Sequence, residues 1–158
     1  MKSFASNLAI AIMWLLLGTE PSVSSFALGF ALGFGLLAGF RNIVGSENYV
    51  RRVVALVRFL ARFTVEFLRA NAKVAWAVLF RSRRSFRPDF VLYDTSDLTR
   101  AEILLLSYCV SLTPGTTTVE ISHDFKTVTL HALDADRPDA LRSEIDRTLK
   151  RGILAFTR

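Results

Sequence analysis

Two apolar runs open the chain. Residues 4–17 and 23–40 carry no charged side chain. A bilayer crossing asks for roughly 18–20 apolar residues, flanks included. The runs therefore predict two membrane spans, at about residues 3–19 and 21–40. Thr19-Glu20-Pro21 reads as a tight turn, with Pro21 placed to open the second helix. Residues 1–48 are thus expected to form a transmembrane helical hairpin. A cleaved signal peptide is the alternative for the first run, but only Lys2 precedes it and no small-x-small cleavage site follows.

Residues 49–80 contain no Gly or Pro and read as one long helix. At 100° per residue, Arg51, Arg58, Arg62, Glu66, Arg69 and Lys73 fall within an arc of about 80°. Almost everything else there is apolar. A narrow charged stripe on a wide apolar surface suits a helix lying along the membrane interface or against partner subunits. A third spanning helix is the rival. It would carry several arginines through hydrocarbon at about 2.5 kcal/mol or more each near the centre. The helix and its basic linker occupy residues 49–87.

After Pro88 the pattern becomes that of a small α/β domain, residues 88–158, in the order β-α-β-β-α. Residues 90–93 form a short strand. Thr99 and Glu102 match a capping box, and the helix that follows, apolar nearly all round, ends at Pro114-Gly115. Residues 117–122 and 127–133 alternate as a hairpin. Val119, Ile121, Val128, Leu130 and Ala132 are expected on one face, with Glu120, Thr127, Thr129 and His131 on the other. A last helix carries Leu141, Ile145 and Leu149 on one face and is expected to close near Gly152.

Charge sets the expected orientation. The net charge is +6, but residues 1–87 hold 12 Lys and Arg against 3 Asp and Glu, while residues 88–158 hold 8 against 11. The excess basicity belongs to the hydrophobic half. It flanks the apolar runs at Arg41, Arg51, Arg52, Arg81, Arg83, Arg84 and Arg87. The loop between the runs has none. The positive-inside rule then places both the N-terminus and the C-terminal domain in the cytoplasm. The same distribution argues against a nucleic-acid partner.

Catalytic and ligand chemistry is scarce. Cys109 is the single cysteine, which excludes an intramolecular disulfide framework and argues against a thiolate metal cluster. His123 and His131 lack a third ligand of metal-site spacing and read as hairpin polar residues. No glycine-rich phosphate loop is present. Ion paths need ionisable groups inside the bilayer, and neither apolar run has one. Gly29 with Gly33 and Gly35 with Gly39 are spaced for close helix packing. Enzyme activity, a cofactor, a bound metal and a small-molecule substrate are therefore not expected.

Four segments together resemble the E-type subunits of the multisubunit Mrp/Mnh/Pha-type cation/proton antiporters. They are Asn7-Leu8-Ala9 with Trp14; Glu66 to Asn71 with Val74; Ser111-Leu112-Thr113-Pro114-Gly115-Thr116; and His131-Ala132-Leu133-Asp134. Tyr108 departs from that family's pattern, which tends to carry Asn there. The resemblance implies an accessory subunit in a bacterial inner membrane, in a complex exchanging Na+ or another monovalent cation for H+. Its partners would be other membrane subunits and lipid, and larger subunits would conduct. Arg58, Arg62, Glu66, Arg69, Asn71 and Lys73 are the expected partner or membrane interface. Thr113, Pro114, Gly115, Thr116 and His131 are the motif positions. The alternative is a stand-alone membrane-anchored sensor with a cytoplasmic ligand-binding domain.

Overall fold

The computed structural model describes residues 2–18, 21–82 and 86–158. The turn expected at Thr19-Glu20, and Arg83 and Arg84 of the basic flank, lie outside the described residues. The chain divides into two compact units, Met1–Val54 and Ala55–Arg158.

The first unit holds α1 (Lys2–Leu17), α2 (Val23–Gly39), the short α3 (Arg41–Val44) and the first turns of α4 (Glu47–Phe80). Among the described residues no helix is long and apolar enough to cross a membrane. The expected spans of about 3–19 and 21–40 are thus shortened, to 16 and 17 residues. At 1.5 Å per residue that is about 24–26 Å, below the roughly 30 Å of a hydrocarbon core. Ser22 accepts from Ser25 N–H and ends the α2 run on its N-terminal side. Gly45, at φ +67°, lets the chain turn from α3 into α4.

α1 and α2 pack antiparallel: Gly18 lies near Ser25, Trp14 on Gly29, and Asn7 with Ile10 on Gly33. The close approach requires glycine. A Cβ at Gly29 would sit 2.7 Å from Trp14 Cβ, and one at Gly33 would collide with Asn7 Oδ1 and lie 3.1 Å from Ile10 Cγ2. Asn7 is fully buried, and its Nδ2 donates to the Tyr49 hydroxyl at 2.7 Å. Tyr49 also meets the rings of Phe4 and Phe34, so the start of α4 is held to both helices of the pair.

The second unit is the rest of α4 with a three-stranded antiparallel sheet and its helices. β1 (Asp89–Asp94), β2 (Thr116–Ile121) and β3 (Thr127–Ala132) lie in the order β1-β3-β2. α5 (Arg100–Leu112) follows β1. A C-terminal helical stretch runs from α6 (Pro138–Ile145) through a π turn (Asp146–Lys150) into α7 (Arg151–Thr157). The core gathers Tyr93, Ile103, Leu106, Val110, Val128, Leu130, Ile145, Leu149 and Ile153 around Phe59 of α4. Phe59 is the α4 residue buried within this core, and Phe63 packs against it.

Two local expectations are corrected. Val119 does not face the core. The pairing of β2 with β3 shifts register between Thr118 and Glu120, which leaves Val119 as the extra residue of a bulge and 54% exposed. Nor does the last helix close at Gly152. It continues to Thr157, and Gly152 lies where α7 meets Phe59: a Cβ there would be 2.5 Å from Phe59 Cδ2. The glycine serves a close approach rather than a stop.

The capping box forms. Thr99 N–H donates to Glu102 Oε2 at 2.8 Å, and Glu102 N–H to Thr99 Oγ1 at 3.4 Å. Glu102 is nonetheless buried, and it also accepts from the Thr157 hydroxyl at 2.6 Å and from Arg158. The hydrogen bond from Arg158, with those from Thr157 and Thr99, lowers its pKa to about 2 against the opposing effect of burial. A carboxyl whose folded pKa lies below its unfolded one stabilises the fold above the unfolded value, near 4.3, and loses that contribution as pH falls towards 2. Glu102→Gln should therefore lower unfolding free energy by about 1–3 kcal/mol at pH 7. The difference from wild type should vanish by about pH 2, measured by denaturant unfolding in mild detergent. An equal difference at both pH values would refute the clamp.

Candidate functional site: a cleft between α4 and the C-terminal helix

A cleft of about 520 Å³ opens in the second unit, between α4 and α6 with its π turn. One wall is α4: Phe63, Ala70, Val74 and Ala77 supply apolar side chains, and Glu66, Arg69 and Lys73 line its charged side. The opposite wall presents Leu141, Ile145 and Leu149 at i, i+4, i+8, spaced to share one helix face. Thr113, Pro114, Gly115 and Thr116, with Ala132, Leu133 and Asp134, close the end.

Local chemistry explains why those two loop segments sit together. Thr113 caps α5, its hydroxyl donating to Cys109 O at 2.9 Å, and Pro114 prevents the helix from continuing. Gly115 takes φ +96°, which side chains rarely tolerate, and a Cβ there would lie 3.5 Å from Val74 Cγ2. Thr116 donates to Val110 O at 3.1 Å and pairs with Ala132, while Leu133 N–H donates to Gly115 O at 2.9 Å. The β3 end thereby delivers Asp134 to Arg81 beyond α4, at 2.8 Å. Arg81 also stacks on Phe86.

The expected interface residues separate. Glu66, Arg69 and Lys73 line the cleft, with Arg69 paired to Glu66 at 2.9 Å. Arg58 and Arg62 are exposed on α4 outside the cleft lining. Asn71 is exposed and donates to Phe67 O in its own helix. Thr113 to Thr116 all line the cleft, whereas His131 lies on the sheet face away from the core, its ring edge-on to Phe90. Gly29 and Gly33 are consumed by α1, while at Gly35 and Gly39 a Cβ would meet nothing within 4 Å among the described residues beyond the adjoining backbone of α2 itself. Sequence reasoning missed Asp136, Arg137 and Glu144 as cleft residues. The only signal was the amphipathic period of α6, which puts Glu144 beside Leu141 and Ile145.

Cys109 is buried, and burial pushes its thiol up. Tyr93, buried in the core and donating to Asp146, is held well above the ordinary phenol range, by burial first and then by that carboxylate. Among the described residues no three His, Cys, Asp or Glu side chains gather where they could hold a metal ion.

The described fold is thus a helix pair in one unit and, in the other, a long helix with a small sheet domain that together line a cleft. Residues 7–156 match the family model described as Na+/H+ ion antiporter subunit. The chain is 30% identical over 152 residues to the E subunit of the Na(+)/H(+) antiporter of Alkalihalophilus pseudofirmus, and 28% identical to that of Bacillus subtilis, with 96% of each chain covered. It belongs to the family of Na+/H+ antiporter E subunits. A chain of the Mrp complex from Dietzia sp. DQ12-45-1b superposes with a TM-score of 0.51 and 26% identity, over 65% of this chain and 96% of that one. A chain of the membrane-bound sulfane sulfur reductase, an archaeal respiratory membrane complex, shares the fold at TM-score 0.57 and 20% identity, with 96% of each covered.

Proposed function

We propose that this chain is an accessory subunit of a multisubunit monovalent cation/proton antiporter, bracing the complex rather than conducting ions. The observation that carries this reading is the division of α4 into three faces. Phe59, Phe63, Ala70 and Ala77 face the domain, and the charged stripe forms a second face. The third bears Val57, Leu60, Val65, Leu68, Val78 and Leu79, each between 46% and 74% exposed. So much bare apolar surface on one helix marks a membrane or protein interface.

In this reading α1 and α2, with α3 and flanking residues, form the membrane hairpin, and both termini are cytoplasmic. The third face of α4 enters the lipid interface, with Arg58 and Arg62 at headgroup level. Gly35 and Gly39, open on α2, take a helix of a neighbouring subunit. The absence of any ionisable side chain from residues 4–17 and 23–40 supports bracing over conduction.

Purified chain reconstituted alone in liposomes should show no cation-dependent proton flux, and the chain should co-purify with multispanning subunits in mild detergent. Robust flux from the isolated chain would overturn the reading. Leu60→Asp with Leu68→Asp should lower retention in the complex by tenfold or more, because burying each leucine is worth about 1.5–3 kcal/mol. Unchanged co-purification of that double variant would mean the third face meets only water.

A further inference from the structure

We infer that the cleft is the docking groove for an acidic, amphipathic helical segment from the cytoplasmic side of a partner membrane subunit. This rests on the accessory-subunit reading and names the contact through which bracing is exerted.

The groove has the shape for a helix. From Phe63 to Ala77 its α4 wall is 15 residues long, about 21 Å end to end at a rise of 1.5 Å per step. That length fits roughly four turns. Both walls are helical, with apolar side chains at Ala70, Val74 and Ala77 on one and Leu141, Ile145 and Leu149 on the other, and an apolar groove of this kind takes the apolar face of an amphipathic helix.

Its charge sets the chemistry of the occupant. Glu66, Arg81, Asp134 and Asp136 are already in ion pairs, with Arg69, Asp134, Arg81 and Arg87 respectively. The side chains of Lys73 and Arg137 line the cleft with no hydrogen-bond or ion-pair partner among the described residues, and of the cleft's acids only the Glu144 carboxylate is in that state. The unanswered charge is therefore positive. It asks for two carboxylates flanking an apolar stripe, with at most one base opposite Glu144.

Direction favours protein over lipid. Residues two apart on a helix point about 160° away from each other, so Ala70 and Ala77 in the groove oppose Leu68 and Leu79 on the bare face. If that face meets lipid, the groove opens towards the cytoplasm.

The test uses the intact complex. A benzoylphenylalanine crosslinker replacing Ala140, an exposed groove residue, is photolysed in native membranes and the adduct peptide is sequenced. The expected adduct is one cytoplasmic segment of another subunit, with apolar residues at helical spacing and at least two Asp or Glu. Lys73→Glu with Arg137→Glu should reduce its yield about tenfold, and exchanging those acids for lysines in the captured segment should restore it. If the reversed pair does not fold, Lys73→Gln with Arg137→Gln should still reduce the yield. Capture of phospholipid, of a second copy of this chain, of a basic segment, or of nothing would overturn the inference, as would an unchanged yield from the charge variants. A chain that co-purifies with its partners yet gives no such adduct refutes the groove alone. A chain that co-purifies with none refutes the accessory-subunit reading.

Discussion

Gly33→Leu is expected to separate α1 from α2 and to remove the chain from its complex. A Cβ at Gly33 already meets Asn7 Oδ1, which has no hydrogen-bond partner among the described residues, and crowds the Ile10 side chain. Leucine adds three more carbons behind it. Overpacking of this kind costs typically 1–3 kcal/mol, and more when no side chain can move aside. Here Asn7 is also held by Tyr49, so relieving the clash breaks that hydrogen bond. Gly35→Leu makes the informative contrast, since beyond the adjoining backbone of α2 nothing among the described residues lies within 4 Å of its Cβ position. Cysteines at Gly18 and Ser25, which face each other across the pair, should crosslink efficiently in Gly35→Leu and poorly in Gly33→Leu. If Gly35 faces a partner helix as proposed, both variants should still lower antiport. Efficient crosslinking in Gly33→Leu would contradict the seam described above.

Phe59→Ala should be the most destabilising single change in the second unit, at about 3–5 kcal/mol. The ring is 5% exposed, lies 5.4 Å from that of Phe156, and receives α7 where Gly152 has no side chain. Removing it leaves a cavity beneath the only glycine of the C-terminal helical stretch. Gly152→Ala should be costly for the opposite reason, because the methyl enters the ring. The two positions must therefore couple: Gly152→Ala should cost markedly less in a Phe59→Leu background. Denaturant unfolding of the four proteins in mild detergent measures the cycle. Additive effects would mean that α7 does not bear on Phe59.

The local elements were readable from the chain. Apolar runs without charge, a Gly- and Pro-free stretch with a one-sided stripe, the Thr99–Glu102 capping box and the alternating hairpin each state their geometry within a few residues. Hydrogen bonding and side-chain periodicity act over that range. The resemblance to the antiporter E subunits was readable too, because it rests on short motifs.

Tertiary structure alone decided how those motifs are used. Segments far apart in sequence, around Glu66, Thr113 and Asp134, meet in one cleft because Gly115 packs on Val74 and Leu133 N–H bonds Gly115 O. Two glycine pairs of equal spacing split into one that is packed and one that is open, since helix contact depends on which face turns inward. Gly152 read as a terminator because glycine often ends helices. Its role as a gap for Phe59 depends on a residue 93 positions earlier. The bulge at Val119 likewise arises in the pairing of two strands, which neither strand's own alternation encodes.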